Sequence, residues 1–510
     1  MAYYTLHAYD ADVWIPSFNG LRQSDDIASD LRYAMEAENV ETPRGVLQPM
    51  AAPEVLSDSF NDKIETLARF HRRWYTGTGS KDWMIVAAGG KLYYKQSLAS
   101  GGWTQLAFPT TPSVVTAWQS NVWSWVTYEI NPPGSSSSVD VLLLSNPLDG
   151  MIMVVPPYTA TESNPDWKIE VINTKGKKFG VIERYAERIW GGAIPEDPDM
   201  LMYSAPYDPT DWEQNAEIPE DGAGDINQPS WDGDSFTALK AFGSQLIAFK
   251  KNRVWRILGT DPGEYAFKEQ YGGGTPYPYT IAVEKERILM VENEGLSTYD
   301  GLTVSPFSRF SIEKLWKRVN KSAMDQMCAA LFQNKYYLAL PLDGSSVNNA
   351  LIIYNTEEGS MLLYTDIYVE SLMQTEETLY ATSSQLPGKI MIINYDSWEI
   401  GLATNRVSKW TTPWMDFGRK SMAKGGYEIY FAPEVRGAPV TFRFSIESEK
   451  KVKSKLVTVQ PTTFKAKQKR IRFGGSSRRF RLTIEALTAP VGTVWRFLGG
   501  IQMVVETDPD

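Results

Sequence analysis

The sequence predicts an all-β protein: a β-propeller of about six or seven blades, preceded by a short helix-containing arm and followed by an antiparallel β-sandwich-like domain. Three observations predict it. A short apolar run ending in an aromatic, a Gly/Asp turn and a second apolar run recur from Trp83 to Tyr94, Phe242 to Trp255, Ile288 to Tyr299 and Leu379 to Tyr395. Hairpins repeated at intervals of roughly 40 to 50 residues are the mark of small sheets that bury their faces on one another. Between about 61 and 400 there is almost no helical periodicity, and beyond 401 strict apolar–polar alternation takes over.

Taken in order, residues 1–60 read as an arm or docking segment. Ser24-Asp25-Asp26 is placed to cap a helix running from Ala28 to Glu38, which Asn39 and Pro43 would end. Residues 61–400 read as the propeller. Ile64 to Trp74 suits a strand as well as a helix, and the apolar spacing of Ile312, Leu315, Trp316 and Val319 predicts a short helix. Two stretches, Asn131–Ser138 and Glu217–Asp234, read as long loops. Residues 401–510 read as the sandwich-like domain, with strands at Val440–Ile446, Phe480–Ile484 and Val494–Leu498.

A chain of 510 residues with 43% hydrophobic and 12% aromatic content has room for two or three packed domains and is not disordered. Its single cysteine, Cys328, rules out an intramolecular disulfide framework. The opening ten residues lack the basic and apolar regions of a signal peptide, and no apolar run approaches 18 residues. Synthesis in a cytoplasm without a membrane-spanning segment is expected.

The net charge of −10 hides a strong asymmetry. Residues 401–510 hold 20 Lys/Arg against 9 Asp/Glu, while the first 400 hold 31 against 52. Within the basic part, Lys450, Lys451, Lys453, Lys455, Lys465, Lys467, Lys469, Arg470, Arg472, Arg478, Arg479 and Arg481 are opposed only by Glu449. In Lys451-Val-Lys453 and Arg470-Ile-Arg472-Phe473 the basic residues alternate with apolar ones, which on a strand places them on one face. A solvated face is the plain reading. The functional one is an interface with something negative, and the acidic first 400 residues of a second copy supply such a surface.

Chemistry is sparse. The two histidines, His7 and His71, have no acidic or cysteine partner at motif spacing, and there is neither a Gly-x-Ser-x-Gly elbow nor a phosphate-binding Gly-Lys-Ser/Thr loop. Gly272 to Gly274 precede Thr-Pro-Tyr-Pro-Tyr and read as a turn. Asp221, Asp225, Asp232 and Asp234 offer a carboxylate pair for glycoside hydrolysis or a calcium site, although their spacing does not match an EF-hand loop. The 17 tryptophans, among them Trp83, Trp190 and Trp255, suit the wedges between blades better than a sugar platform. No catalytic set, cofactor or metal is expected.

Three segments carry a resemblance. Arg184 to Trp212 holds an Arg-aromatic strand, a Gly/Asp/Pro turn, a Tyr203-Ser204 strand and an Asp208-Pro-x-x-Trp212 exit. Phe18-Asn-Gly20-Leu21, Ala37-Glu-Asn39-Val40 and Gly45-Val-Leu47 form an opening, and Trp410-Thr-Thr-Pro413-Trp414-Met-Asp416-Phe417-Gly418 a second-domain start. Together they resemble the tail nozzle, or tail hub, proteins of short-tailed bacteriophages, which include the tail tubular and packaged-DNA stabilisation proteins. The resemblance implies a structural virion protein, a homohexamer below the portal and adaptor rings that meets tail fibres or spikes and passes double-stranded DNA without reading its sequence. The family's channel is generally negative, which assigns the basic strands to an interface and the aspartates of 217–234 to a channel loop. The other reading is a propeller that binds or cleaves host-surface glycans.

Overall fold

The computed structural model describes all residues except 1–3, 7–9, 24–29, 76–78, 97–101, 113, 133–137, 159–165, 229–232, 271–272, 309–311, 418–422, 463–465, 488–489 and 508–510. The chain is all-β, and its many four-stranded antiparallel sheets are compatible with a propeller-like arrangement. All four hairpins picked out by the repeat are the middle strand pair of such a sheet, as in Gly79–Ala88 with Lys91–Gln96 and Ile288–Glu292 with Gly295–Tyr299. The first of these turns on Gly89 and Gly90, both left-handed at φ 57° and 70°. That is the type I′ geometry that matches the twist of the flanking strands.

The first sheet runs from Ile64–Tyr75 to Thr104–Gln105, the second from Ser124–Ile130 to Lys168–Ile172 and the third from Val181–Tyr185 to Gly224–Asn227. The fourth runs from Phe236–Phe242 to Ala266–Gln270, the fifth from Ala282–Val283 to Val304–Pro306 and the sixth from Cys328–Phe332 to Ser360–Thr365. The seventh takes Ser371–Gln374, Leu379–Thr382 and Lys389–Ile392, and its fourth strand is Glu54–Ser59 from the other end of the chain. Apolar clusters join consecutive sheets. Phe70, Ile85, Leu142 and Ile152 link first and second; Trp190, Leu201, Leu239 and Leu246 link third and fourth; Met84, Val86, Tyr380 and Ile390 link seventh and first.

Residues 1–60 depart from the expected arm. Apart from a two-stranded pair of Val40–Glu41 with Gln48–Pro49, their strands are distributed among three other sheets: Asp10–Ile15 pairs with Val494–Thr507, Glu36–Glu38 lies between Ser360–Thr365 and Ser408–Thr411, and Glu54–Ser59 joins the seventh sheet. The expected helix from Ala28 to Glu38 is not formed over its described part; residues 24–29, with the proposed cap, lie outside the described residues. Leu31, Ala34, Met35 and Ala37 are all buried, so the apolar spacing is satisfied by a turn at Leu31–Arg32 that leads into the strand Glu36–Glu38 within the core. The bridge of Ala34 to Leu21 and the pairing of Glu36–Glu38 override a marginal local helix preference. The expected short helix forms as Glu313–Trp316, and Ile64–Tyr75 is a strand.

The insertion of Glu36–Glu38 makes one sheet of nine strands from the sixth sheet and the C-terminal strands Ser408–Thr411, Phe480–Ala486, Val440–Ser448 and Val452–Val459. A five-stranded sheet, which includes Lys424–Arg436 and Lys469–Ser477, packs on it through Phe431, Phe442, Phe444, Trp495 and Phe497. The C-terminal sandwich therefore contains N-terminal strand.

At this junction Glu41 is fully buried and accepts hydrogen bonds from Asp396 N at 3.0 Å, Gln48 Nε2 at 2.9 Å and Ser397 N. Burial nevertheless pushes its carboxyl up to about 7 from 4.5. The unfolded chain releases this proton at lower pH than the folded chain, so this group's contribution to stability falls as pH rises from about 4.5 to about 7. Glu41→Gln has no proton to release. The difference between parent and variant melting temperatures should therefore change across that window and be flat above it, and a constant difference would contradict the assignment.

Trp190 is fully buried, as expected for a wedge residue, whereas Trp83 and Trp255 are half-buried at cluster margins, and Trp255 lies on the third strand of its sheet instead of the second. Trp190→Ala should cost about 3–5 kcal/mol in urea unfolding. Trp255→Ala should cost distinctly less; equal losses would show that the margin is packed as tightly as the centre.

Candidate interaction surfaces

The twelve basic candidates do not form the single positive face that alternation predicts. On the strand Lys469–Ser477 the expectation holds, because Ile471 and Phe473 are buried and Arg470 and Arg472 point out. On Val452–Val459 it is inverted: Val452 and Leu456 are each 62% exposed, while Lys453 and Lys455 stand opposite buried Ile446 and Phe444 on the sandwich side. The cause is position. This strand is the sheet's edge, and an inward lysine there can bury its stem and carry its ammonium across the open edge. Lys455 Nζ donates to Arg472 O at 2.5 Å, and Lys453 Nζ to Gly474 O.

Many of the other charges are neutralised at home. Arg470 pairs with Glu428, with Arg472 at 3.6 Å from the same carboxylate, and Arg470 holds that carboxyl below its ordinary range. Arg479 lies 3.2 Å from Glu449 and Arg481 2.6 Å from Glu447, and both guanidinium groups cover Trp414. Lys465 lies outside the described residues. Lys450, Lys451, Lys467 and Arg478 are exposed, Lys469 is half-buried, and among the described residues none of the five has a carboxylate partner. Sequence alone could not make this division, since the partners Glu428 and Glu447 lie on neighbouring strands.

The acidic segment is also not the open loop its composition predicts. Gly224–Asn227 is the fourth strand of the third sheet, paired with Met200–Tyr203. A side chain at Gly224 would meet the Tyr203 hydroxyl at 2.3 Å, so the glycine permits the close approach. Asp234 is buried and caps a turn, accepting from Lys251 N at 2.8 Å and Asn252 N at 3.0 Å. Asp221, in the turn Pro219–Asp221, and Asp225 are exposed; Asp232 lies outside the described residues. Asp221, Asp225 and Asp234 thus do not converge. Among the described residues no three His, Cys, Asp or Glu are grouped to hold a metal ion.

What holds this segment is Arg188, which sequence reasoning passed over. Its guanidinium is buried against the Tyr203 ring and donates to Ser204 O at 2.9 Å, Gly222 O at 2.6 Å and Glu220 O. Backbone around 220–222 is thereby fixed, and its carboxylates project from a rigid support.

A cavity of about 670 Å³ lies where the leading segments of all seven sheets meet. Lys63, Thr66, Trp125, Ile182, Lys240, Tyr279, Cys328 and Glu370 are on its wall. Lys63 lies 2.9 Å from Glu370 and Lys240 3.1 Å from Glu183, so its charges are largely paired. The Cys328 thiol is pushed up to about 12 by burial, which keeps it protonated and unreactive. His71 sits 2.8 Å from Asp82, its cross-strand neighbour, with Arg69 on the same carboxylate. Among the described residues no serine or cysteine is bonded to it, and His7 lies outside them. No helix among the described residues is long and apolar enough to cross a membrane.

No family model matches the chain, and no curated protein matches it. Among solved structures it is similar, at 10% identity and a TM-score of 0.36, to PorZ, an essential surface component of the type-IX secretion system of Porphyromonas gingivalis. The likeness covers 67% of this chain and 38% of that one, so the chain spans well under half of that neighbour's length.

Replacing Arg188 by Met removes three charge-assisted hydrogen bonds to backbone carbonyls. We expect faster amide hydrogen exchange over 217–224 and a stability loss of about 2–3 kcal/mol. Exchange unchanged in that segment would show that it is held by something else.

Proposed function

We propose that this chain is a structural subunit of a ring at the tail of a short-tailed bacteriophage, a nozzle or hub below the portal and adaptor through which the genome leaves. In this reading the seven sheets close as a seven-bladed propeller, with Glu54–Ser59 completing the last blade from the N-terminal side. The C-terminal sandwich, continuous with the sixth sheet, is the platform that meets neighbouring subunits. One observation carries the proposal: charge is segregated, 20 basic against 9 acidic residues after 400 and 31 against 52 before, on a rigid β scaffold. Such a subunit is self-complementary in a head-to-tail sense, which is what a ring requires. The resemblance of 18–47, 184–212 and 410–418 to nozzle proteins supplies the setting.

A second reading is favoured by the cavity, whose wall presents Trp125, 37% exposed, among paired charges, as a site for a sugar ring does. The two are separable. Mass photometry and electron microscopy of the purified chain should show closed rings, six-fold on the family resemblance, with an axial channel, and antibodies should label virion tails. A monomer at every concentration that binds polysaccharide, and loses that binding on Trp125→Ala, would replace the first reading by the second.

A further inference from the structure

Two exposed patches on this chain are complementary in both charge and apolar content. The first is the basic edge. Lys450, Lys451, Lys453 and Lys455 lie within seven residues, and Val452 and Leu456 stand out from the outer face of the sheet at 62% exposure each. Lys450 and Lys451, at the turn after Val440–Ser448, have no carboxylate partner among the described residues. An edge strand carrying two large exposed aliphatics is a surface that monomeric proteins avoid.

The second patch is the acidic segment of the third sheet. Residues 205–225 contain seven carboxylates and no lysine or arginine. Among the described residues, Glu213 alone of these has an ion pair, with Lys175 at 2.8 Å. Tyr207 and Ile218 stand among these acids at 67% and 50% exposure. Tyr207 is held at φ 63°, a left-handed conformation that a bulky residue adopts at a cost, so the fold spends strain to present an aromatic ring to solvent. Arg188 fixes the backbone between Glu220 and Gly222 from beneath. A rigid aromatic and a rigid aliphatic ringed by charge is the composition of an interface anchor.

Within one chain, no ion pair links the two patches among the described residues. Resting on the self-assembly reading above, we propose that the 207–221 surface of one copy seats on the 450–456 edge of the next. Tyr207 and Ile218 cover Val452 and Leu456, and Glu217, Glu220 and Asp221 face Lys450 and Lys451. The contact is head-to-tail, so each subunit uses one patch toward each neighbour, and the ring reading requires that the rotation between neighbours close.

The test is charge reversal with complementation, read by sedimentation velocity of the full chain at low and high salt. Lys450→Glu with Lys451→Glu makes one variant; Glu217→Lys with Glu220→Lys makes the other. Lys453, Lys455 and Arg188 are left intact because they hold the fold, and circular dichroism melts check that both variants remain folded. Each variant alone should assemble at least ten-fold more weakly than the parent. Mixed together they should assemble again, because the reversed edge of one meets the reversed loop of the other. Parent rings with variants that assemble equally well, or a mixture that stays dissociated, would overturn this contact and leave the ring reading standing. A parent that never assembles would remove both. Leu456→Asp should weaken assembly even at high salt, and no effect there would also count against the apolar half of the contact.

Discussion

The interaction on which the rest of the structure depends is the insertion of Glu36–Glu38 between Ser360–Thr365 and Ser408–Thr411. Asn39, left-handed at φ 55°, turns the chain out of that strand and spends its side-chain amide on the same seam. It donates to Thr365 Oγ1 at 2.9 Å and Val407 O at 3.1 Å, and accepts from Thr365 N at 2.9 Å. Phe18 meets Trp410 edge-on at 5.0 Å just behind it, and Gly20 is required there because a Cβ would strike Met361 O at 2.1 Å. The pairings join residues more than 300 apart in sequence, so the seam gathers the chain ends only after much of the molecule is in place. Among the described residues it supplies the strand pairing that joins the sixth sheet to the sandwich. With it, a load applied to the sandwich is carried by backbone hydrogen bonds into the sheets beyond.

That seam also explains which parts were legible in the sequence. The middle hairpins at 83–94, 242–255, 288–299 and 379–395 could be read because their apolar runs flank turn residues such as Gly89-Gly90. The hairpin Val181–Tyr185 to Arg188–Gly192 could not, since its turn residues Ala186 and Glu187 adopt φ 49° and 54° without glycine or asparagine to announce it. Val139–Asn146 was also silent, being buried along its whole length and so without alternation. The false helix at 28–38 shows the complementary failure. Four buried apolar residues at near-helical spacing are also what a turn leading into a core strand needs, and only the distant partners Thr411 and Leu363 decide between the two.

For the surfaces, sequence located the charge but not its state. Counting along the chain found a basic stretch and an acidic one, and both exist. It could not see that Arg470, Arg479 and Arg481 have acidic neighbours across strands, that Lys453 and Lys455 cap carbonyls at an open edge, or that Asp234 is spent on a turn. Ion pairs of this exposed kind are each worth about 0.2–1 kcal/mol, so their role within the chain is chiefly to fix where positive charge remains. What remains is divided: Lys450 and Lys451 adjoin the exposed Val452 and Leu456, while Lys467, Lys469 and Arg478 lie at the two ends of the strand Lys469–Ser477.

In the proposed ring, the exposed aliphatics beside Lys450 and Lys451 would set the energetics of assembly. Rim charges accelerate and orient encounter and are weakened by salt, whereas buried apolar anchors determine how long a contact lasts. Full burial of one aromatic and three aliphatic side chains is worth about 6–12 kcal/mol per contact at about 1.5–3 kcal/mol each, and association and ordering costs of similar size leave a small net gain. A single contact of that size between two free subunits is weak. In a closed ring no subunit can leave without breaking two contacts at once, and the second is held at the high effective concentration set by the rigid body between them. Rigidity is therefore the variable that converts a weak patch into a stable ring. In this chain the two patches lie at opposite ends of that argument: one is stiffened by the Arg188 guanidinium, the other belongs to a nine-stranded sheet sewn together by Glu36–Asn39.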